Sequence, residues 1–455
     1  MMQNATPTPP APSVSHGEID QRGEVEAKGT LCFRSSRLIR ASVFGLFGIG
    51  LVWLVLTASL PFILVSDYNE MALRLSPQNP TALLSQAGKL HTRLQVSPST
   101  LSAKELDEIR SEIHRLAKVA VKNDPLNARA FRLLGEVATD RNRKRVFMKA
   151  AVSRSRRETI AVNWLLHDAF GRKHWKDVVE YADVMLRTRP SLTQYAVRYL
   201  GAIADKSNGR AVLVKALQQS PRWRPEFFRG LPESVRSSQT PLLLMLDLKN
   251  AGDPPTATEQ RPFLDFLISK SRVDLAFNTW LQILPDEKLS SLGLLQNSGF
   301  EREPSGLPFD WRIATARNAV VEIVAEQNAA TRKALRVKFL VGRITSLEVA
   351  QVVMLPPGPY LLKGEHKGAV VSERGLRWQL QCFLGGKEVI GQSKNFLKSE
   401  PEWQNFTFEF FVPDNPNCSA QKLRLIHDAR TASEQIATGE AWFDNLQISP
   451  AKAAH

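Results

Sequence analysis

The apolar positions along this chain change period twice, and each change predicts a different kind of element. From residue 41 to 65, ASVFGLFGIGLVWLVLTASLPFILV runs for 25 residues without a charged side chain, preceded by Arg34, Arg37 and Arg40 and followed by Asp67 and Glu70. At a rise of about 1.5 Å per residue this stretch can cross a hydrocarbon layer of roughly 30 Å, so it predicts a transmembrane helix. The basic flank predicts that residues 1–40 are cytoplasmic and that all later domains lie across the membrane. The run is too long and starts too late for an ordinary cleaved leader, and an all-apolar soluble core helix would rarely carry arginines on one side only.

From 67 to 289 the apolar residues return every three or four positions, as in Leu126, Ala130, Leu133, Leu134 and Val137, which is the helical period. Chain-breaking marks fall at Pro125, Arg156, Pro190 and Pro221, separated by 31, 34 and 31 residues. That spacing predicts antiparallel helical hairpins stacked as a solenoid, each burying its apolar face on the next. From about residue 292 the period drops to two. ALRVKFLV (Ala334 to Val341), QKLRLIHD and GEAWFDNLQIS alternate apolar and polar residues between Gly, Pro and Asn turns, predicting an antiparallel β-sandwich over 292–450. Pro7, Pro9, Pro10 and Pro12 stand among small and polar residues in a stretch that predicts a disordered cytoplasmic tail, and residues 451–455 form a short C-terminal tail. The expected fold class is multidomain α + β: one transmembrane helix, a hairpin-repeat solenoid and a C-terminal jelly-roll sandwich.

Charge narrows the partners. Sixty Lys and Arg against 45 Asp and Glu give a net charge of +15, and in a cytosolic protein that excess would suggest nucleic acid. The predicted topology excludes nucleic acid and leaves phospholipid headgroups and acidic polysaccharides as the available anions. The densest cluster puts eight cations in the 17 residues from Arg141 to Arg157. Arg141, Arg145 and Lys149 repeat every fourth residue, and with Arg154 and Arg157 they form a candidate anion site, or equally a solvated, salt-bridged helix face. Of three cysteines, Cys382 and Cys418 are the only pair beyond the predicted span; they either bridge or serve as small buried hydrophobes.

Thr159 to Pro190, with Leu165, Ala182 and Pro190, resembles the tetratricopeptide repeat, departing from it at Leu166 and Val178, where that family carries small residues. LLQNSGFEREPSGLPFDWRI (Leu294 to Ile313), VVMLPPGPYLLKGEHKG, EWQNFTFEFFVP and GEAWFDNLQIS resemble, in order and spacing, carbohydrate-binding modules with a galactose-binding-like jelly roll. The first resemblance implies a protein partner on the repeats, and the second implies a glycan on the sandwich. It also implies a structural calcium held in part by Glu301 and Asp444, which supply only some of the six to eight oxygens that ion takes. Sugar rings stack on exposed aromatics, and Trp311, Trp378, Trp403 and Trp442 are the candidates. Trp311 and Trp403 sit at landmark core positions, which leaves Trp378 and Trp442 as the rings, with Gln379, Gln381 and Asn445 as hydrogen-bonding neighbours.

No nucleophile elbow, zinc-protease helix or phosphate-binding loop occurs, and no cofactor motif is present, so the chain is not expected to be an enzyme. The function expected from sequence is a non-catalytic scaffold in a bacterial inner membrane, its domains periplasmic, supporting assembly or export of a surface polysaccharide. The alternative is an envelope scaffold that binds only proteins and whose sandwich holds no sugar.

Overall fold

The computed structural model describes residues 45–53, 69–96, 101–289, 292–314, 316–326, 329–385, 388–397 and 399–451. The expected membrane span is overturned. Among these residues no helix is long and apolar enough to cross a membrane. Of the stretch 41–65, residues 45–53 are described and are helical (α1). Gly45, Gly48 and Gly50 lie in or beside it, and each weakens a helix by roughly 1 kcal/mol relative to alanine. The rest of that stretch and the predicted tails at 1–40 and 452–455 lie outside the described residues. The single-pass topology, the periplasmic placement and the membrane-anchored role in polysaccharide export fall with the span.

The chain divides into two compact units, one ending at Leu126 and the other starting at Asn127. In the first, α2 (Asn69–Leu75) leads into α3 (Pro80–Val96), whose start is capped by Asn79 Oδ1 accepting from the backbone N–H of Thr81 and Ala82 at 3.0 and 3.1 Å. Helix α4 (Ala103–Asn123) opens on a reciprocal cap: Glu105 N–H donates to Ser102 Oγ and Ser102 N–H donates to Glu105 Oε2. Its buried Ile113, Leu116, Ala117 and Ala120 fall on one helical face, which packs on α3.

The second unit begins with three hairpins: α5 (Ala128–Val137) with α6 (Arg141–Arg154), α7 (Thr159–Gly171) with α8 (Trp175–Thr188), and α9 (Thr193–Ala204) with α10 (Ser207–Leu217). Arg156, Pro190 and Pro221 each fall in the turn from one hairpin to the next, because a backbone that must leave the helix there loses nothing by placing proline. Further helices follow: α11 (Arg224–Ser234), α12 (Thr240–Asn250), α13 (Ala257–Ser269), α14 (Val273–Ile283) and the short α15 (Asp286–Leu289). Buried charge locks the stack at two points. Asp168, 1% exposed, accepts from Arg141, Arg145 and Arg172 at 2.8, 2.6 and 2.9 Å. Arg224 is held by Glu259 at 2.7 Å and by Asp253.

The β region is a sandwich of two five-stranded antiparallel sheets. One runs β1 (Arg312–Ile313), β4 (Glu348–Val353), β9 (Gln421–His427), β6 (Leu376–Cys382), β7 (Val389–Gln392). The other runs β2 (Ala319–Glu326), β3 (Ala329–Phe339), β10 (Ala437–Pro450), β5 (Gly358–Ser372), β8 (Glu400–Val412). Alternation sends Leu376, Trp378, Leu380, Leu423, Leu425, Leu335, Val337 and Phe443 into the space between the sheets. A disulfide joins Cys382 to Cys418, with Cα atoms 4.5 Å apart and a sequence separation of 36. Closing a loop of that length is worth about 2–4 kcal/mol, so reductant is expected to lower the unfolding free energy of the sandwich by that amount, seen as a lower denaturant midpoint; an unchanged midpoint would show that the bridge contributes nothing.

The β region adds residues to the helical core while keeping a separate core between its own two sheets. Leu307, Phe309, Val352 and Ala420 belong to the helical cluster, and the Phe309 ring lies 5.1 Å from Phe277 and 5.6 Å from Trp280. This wedge packs the Phe309 side of the sandwich against helix α14.

Candidate functional site

A cleft of about 1040 Å³ opens along that seam, at the upper end of the roughly 300–1,000 Å³ usual for ligand pockets. Its helical wall is one face of α13, where Arg261, Asp265 and Ile268 follow the four- and three-residue spacing of a helix. Its sheet wall is the outer face of the first sheet. On β9, Lys422, Arg424 and Ile426 alternate with the core residues Leu423 and Leu425, and on β4, Glu348, Ala350 and Val352 alternate with Val349 and Val353. Edge strand β1 adds Arg312 and Ile313, and Ala314 stands exposed at the lip. Thr345, Ser346, His427 and Gln435 close the far end.

Four cationic side chains line this cleft against two carboxylates, and no tyrosine or tryptophan does. Arg312 and Asp265 bridge helix to edge strand at 3.6 Å; both are about half exposed, so the pair is worth little and can open. Glu348 is shared by Lys422 and by Arg424, the latter at 3.9 Å. Arg424 also donates from Nε and a terminal nitrogen to Gln379 Oε1, at 3.1 and 2.8 Å, which fixes the plane of its guanidinium. Arg261 donates to the Ser305 carbonyl at 3.3 Å, beside Gly306, whose left-handed backbone (φ 69°) leaves room for the guanidinium. Burial pushes the His427 imidazole below its ordinary pKa, with Asp428 and Glu434 partly opposing, and its Nε2 lies 3.2 Å from Ser372 Oγ.

The residues expected from sequence to bind sugar are not brought together. Trp378 is fully buried between Trp311 and Phe443, each ring 5.7 Å away. Gln379 and Gln381 do sit on the outer face of the first sheet, but Gln379 serves Arg424 and Gln381 is 3% exposed. Trp442 lies on the outer face of the other sheet, 8% exposed, with Arg336 and Lys367 each 5.4 Å from its ring. Trp403 carries Arg332 and Lys367 over its ring at 4.3 and 4.9 Å, and Trp311 is a core residue. Asn445 sits in a β10 bulge with φ 50°, its N–H donating to Asp444 Oδ1.

The donor set for calcium does not fit. Arg332 donates to Asp444 Oδ2 at 2.6 Å and pairs with Glu365, so a guanidinium already supplies the positive charge, while Glu301 accepts from the Lys333 N–H at 3.4 Å. Among the described residues no group of three or more His, Cys, Asp or Glu could hold a metal ion. The basic cluster of α6 is partly spent on structure. Arg141 and Arg145 hold Asp168, Arg154 covers the Phe131 ring at 3.7 Å, and Lys149 and Arg157 are exposed. Buried carboxylates elsewhere are likewise held by arginine, Glu259 by Arg224 and Asp428 by Arg374 and Arg377.

The cleft residues escaped the sequence because Arg261, Arg312, Glu348 and Arg424 come from one helix and three strands with no motif linking them. The outward charges of QKLRLIHD, alternating with core leucines, were the one available signal.

No protein-family model matches this chain, and no curated protein does. Among solved structures, the sandwich is similar to a sugar-binding protein from Bacteroides thetaiotaomicron at 10% identity, covering 35% of this chain and all of that one with a TM-score of 0.28. It is similar to a family 4 carbohydrate-binding module at 16% identity, covering 34% of this chain and 99% of that one, with a TM-score of 0.26. A family 61 module in complex with β-1,4-galactotriose gives 18% identity, 35% and 99% coverage and a TM-score of 0.24. Likeness at this level assigns this chain neither a family nor a ligand.

Proposed function

We propose that this chain is a non-catalytic binding protein whose seam cleft holds a carbohydrate chain and whose helical repeats hold a protein partner. The cleft carries the reading. It is open and polar, it is large enough for an oligomer, and it mixes donors (Arg261, Arg312, Lys422, Arg424) with acceptors (Asp265, Glu348) and hydroxyls (Thr345, Ser346). A sugar hydroxyl both donates and accepts, so a wall that alternates the two satisfies it on every side.

The experiment is binding of the full chain to a glycan array, with Ala314→Trp beside it. Ala314 is exposed at the lip, so an indole there fills the cleft without entering a core. A glycan bound by the parent is expected to lose at least about tenfold in affinity, or about 1.4 kcal/mol, with melting temperature unchanged. Equal binding by the plugged variant removes the cleft from the account.

A second reading, an adaptor for proteins alone, draws on the repeats. Tyr195, Tyr199, Phe170 and Trp175 form a continuous, partly exposed aromatic strip, with ring centroids 5.2 to 5.9 Å apart. Tyr199 Oη lies 3.2 Å from both Tyr195 Oη and His167 Nδ1. Rings with polar tips on rigid helices suit a protein interface. A chain that captures partners through this strip and binds no glycan on the array would favour the second reading.

A further inference from the structure

We infer that the carbohydrate held in the seam is acidic, a chain whose sugar rings carry carboxylates, as uronic acids do; this rests on the glycan reading of the same cleft. The warrant is the imbalance of charge on its two walls. Arg261 stands on the helical wall, Arg312 on the edge strand, and Lys422 and Arg424 on the sheet floor. Among the described residues Asp265 pairs with Arg312 alone, and the single carboxylate of Glu348 is divided between Lys422 and Arg424. Among the described residues Arg261 has a backbone carbonyl as its hydrogen-bond partner and no carboxylate, and its Nε is buried without a partner.

A neutral polymer filling the cleft would strip water from these cations and return no counter-charge, which costs free energy. A polymer with repeating carboxylates returns one charge-assisted hydrogen bond for each, and a guanidinium fork matches a carboxylate in two bonds. Gln379 prepares Arg424 for this by holding two of its nitrogens, so the fork is oriented before the ligand arrives. A cleft with low-dielectric walls and a surplus of one sign also concentrates ligands of the other sign. Glu348 and Asp265 then remain to accept from sugar hydroxyls, which distinguishes an acidic glycan from a bare polyanion.

The test uses the full chain with two uronic-acid polymers, polygalacturonate and alginate, the same polymers with carboxyls reduced to alcohols, and polyglutamate. The native polymers are expected to bind at least tenfold tighter than their reduced forms, with affinity falling as salt rises. Arg261→Gln and Arg312→Gln are expected to erase most of that preference while keeping the parental melting temperature, and polyglutamate is expected to bind weakly. Equal affinity for native and reduced polymers overturns the acidic assignment and leaves the glycan reading standing. Polyglutamate binding as well as the uronates overturns the glycan reading instead. Binding of none of them overturns both.

Discussion

Trp378→Ala is expected to lower the unfolding free energy of the sandwich by about 3–5 kcal/mol, the largest effect of any single change considered. The indole is wholly buried, lies between Trp311 and Phe443 and belongs to the cluster that joins the two sheets, so truncation leaves a cavity that neighbouring strands cannot close. Its Nε1 has no hydrogen-bond partner, so this tryptophan already carries a buried, unpaired donor. Trp378→Phe removes that donor along with part of the volume, and its cost is expected to be much smaller, about 1–2 kcal/mol. Denaturant unfolding of the two variants checks the order. If Trp378→Ala left stability intact and removed glycan binding alone, the ring would be a ligand platform and its core position wrong.

Asp168→Asn carries the second large effect, an expected loss of about 2–4 kcal/mol in the helical repeats. One carboxylate with 1% exposure collects three guanidiniums, two from helix α6 and one from the turn beyond α7, and the amide leaves them facing one another without a counter-charge. Removing one partner of a buried pair costs about 3–5 kcal/mol; the lower figure here reflects Arg141, which is 63% exposed and screened by water. The same site fixes an acid dependence. Burial alone would raise the Asp168 pKa, but hydrogen bonds from Arg145, Arg141 and Arg172 outweigh it and hold the carboxyl well below the usual carboxylate range. The unfolded chain therefore takes up this proton first as pH falls. The contribution is complete above the ordinary carboxylate pKa of about 4 and is lost as pH drops toward the folded value. The gap in stability between parent and Asp168→Asn is expected to be constant from neutral pH down to about 5 and to close in stronger acid. A gap that widened in acid would mean that the carboxylate is not the stabilising partner.

These two residues also mark where the sequence could be read and where it could not. The switch from a period of three and four to a period of two near residue 292 located both architectures, because burial of one face is a local demand that each element writes into its own residues. The turn marks at Arg156, Pro190 and Pro221 were legible for the same reason. Trp378 was not. Alternation along LRWQLQC shows that it shares a face with Leu376 and Leu380, but which face meets the other sheet is decided by the pairing of β6 with β9, a contact between distant segments. The α6 arginines read as a solvated charge cluster or an anion site, since nothing local reveals that Asp168 on a neighbouring helix supplies the anion. At 41–65 hydropathy measures preference for an apolar medium and says nothing of the glycines at 45, 48 and 50, and among the described residues no helix is long and apolar enough to cross a membrane. The cleft is the extreme case, being assembled from parts of the chain more than 150 residues apart.

The most direct test of the seam is hydrogen exchange of the full chain with and without the bound uronic-acid polymer. The account predicts protection appearing together in α13 around Arg261 to Ile268, in 312–314, and in β4 and β9 around Glu348 and Arg424, because one ligand must touch both walls. Protection confined to the opposite sheet, around Trp403 and Trp442, would contradict it and move the binding site to the other face of the sandwich.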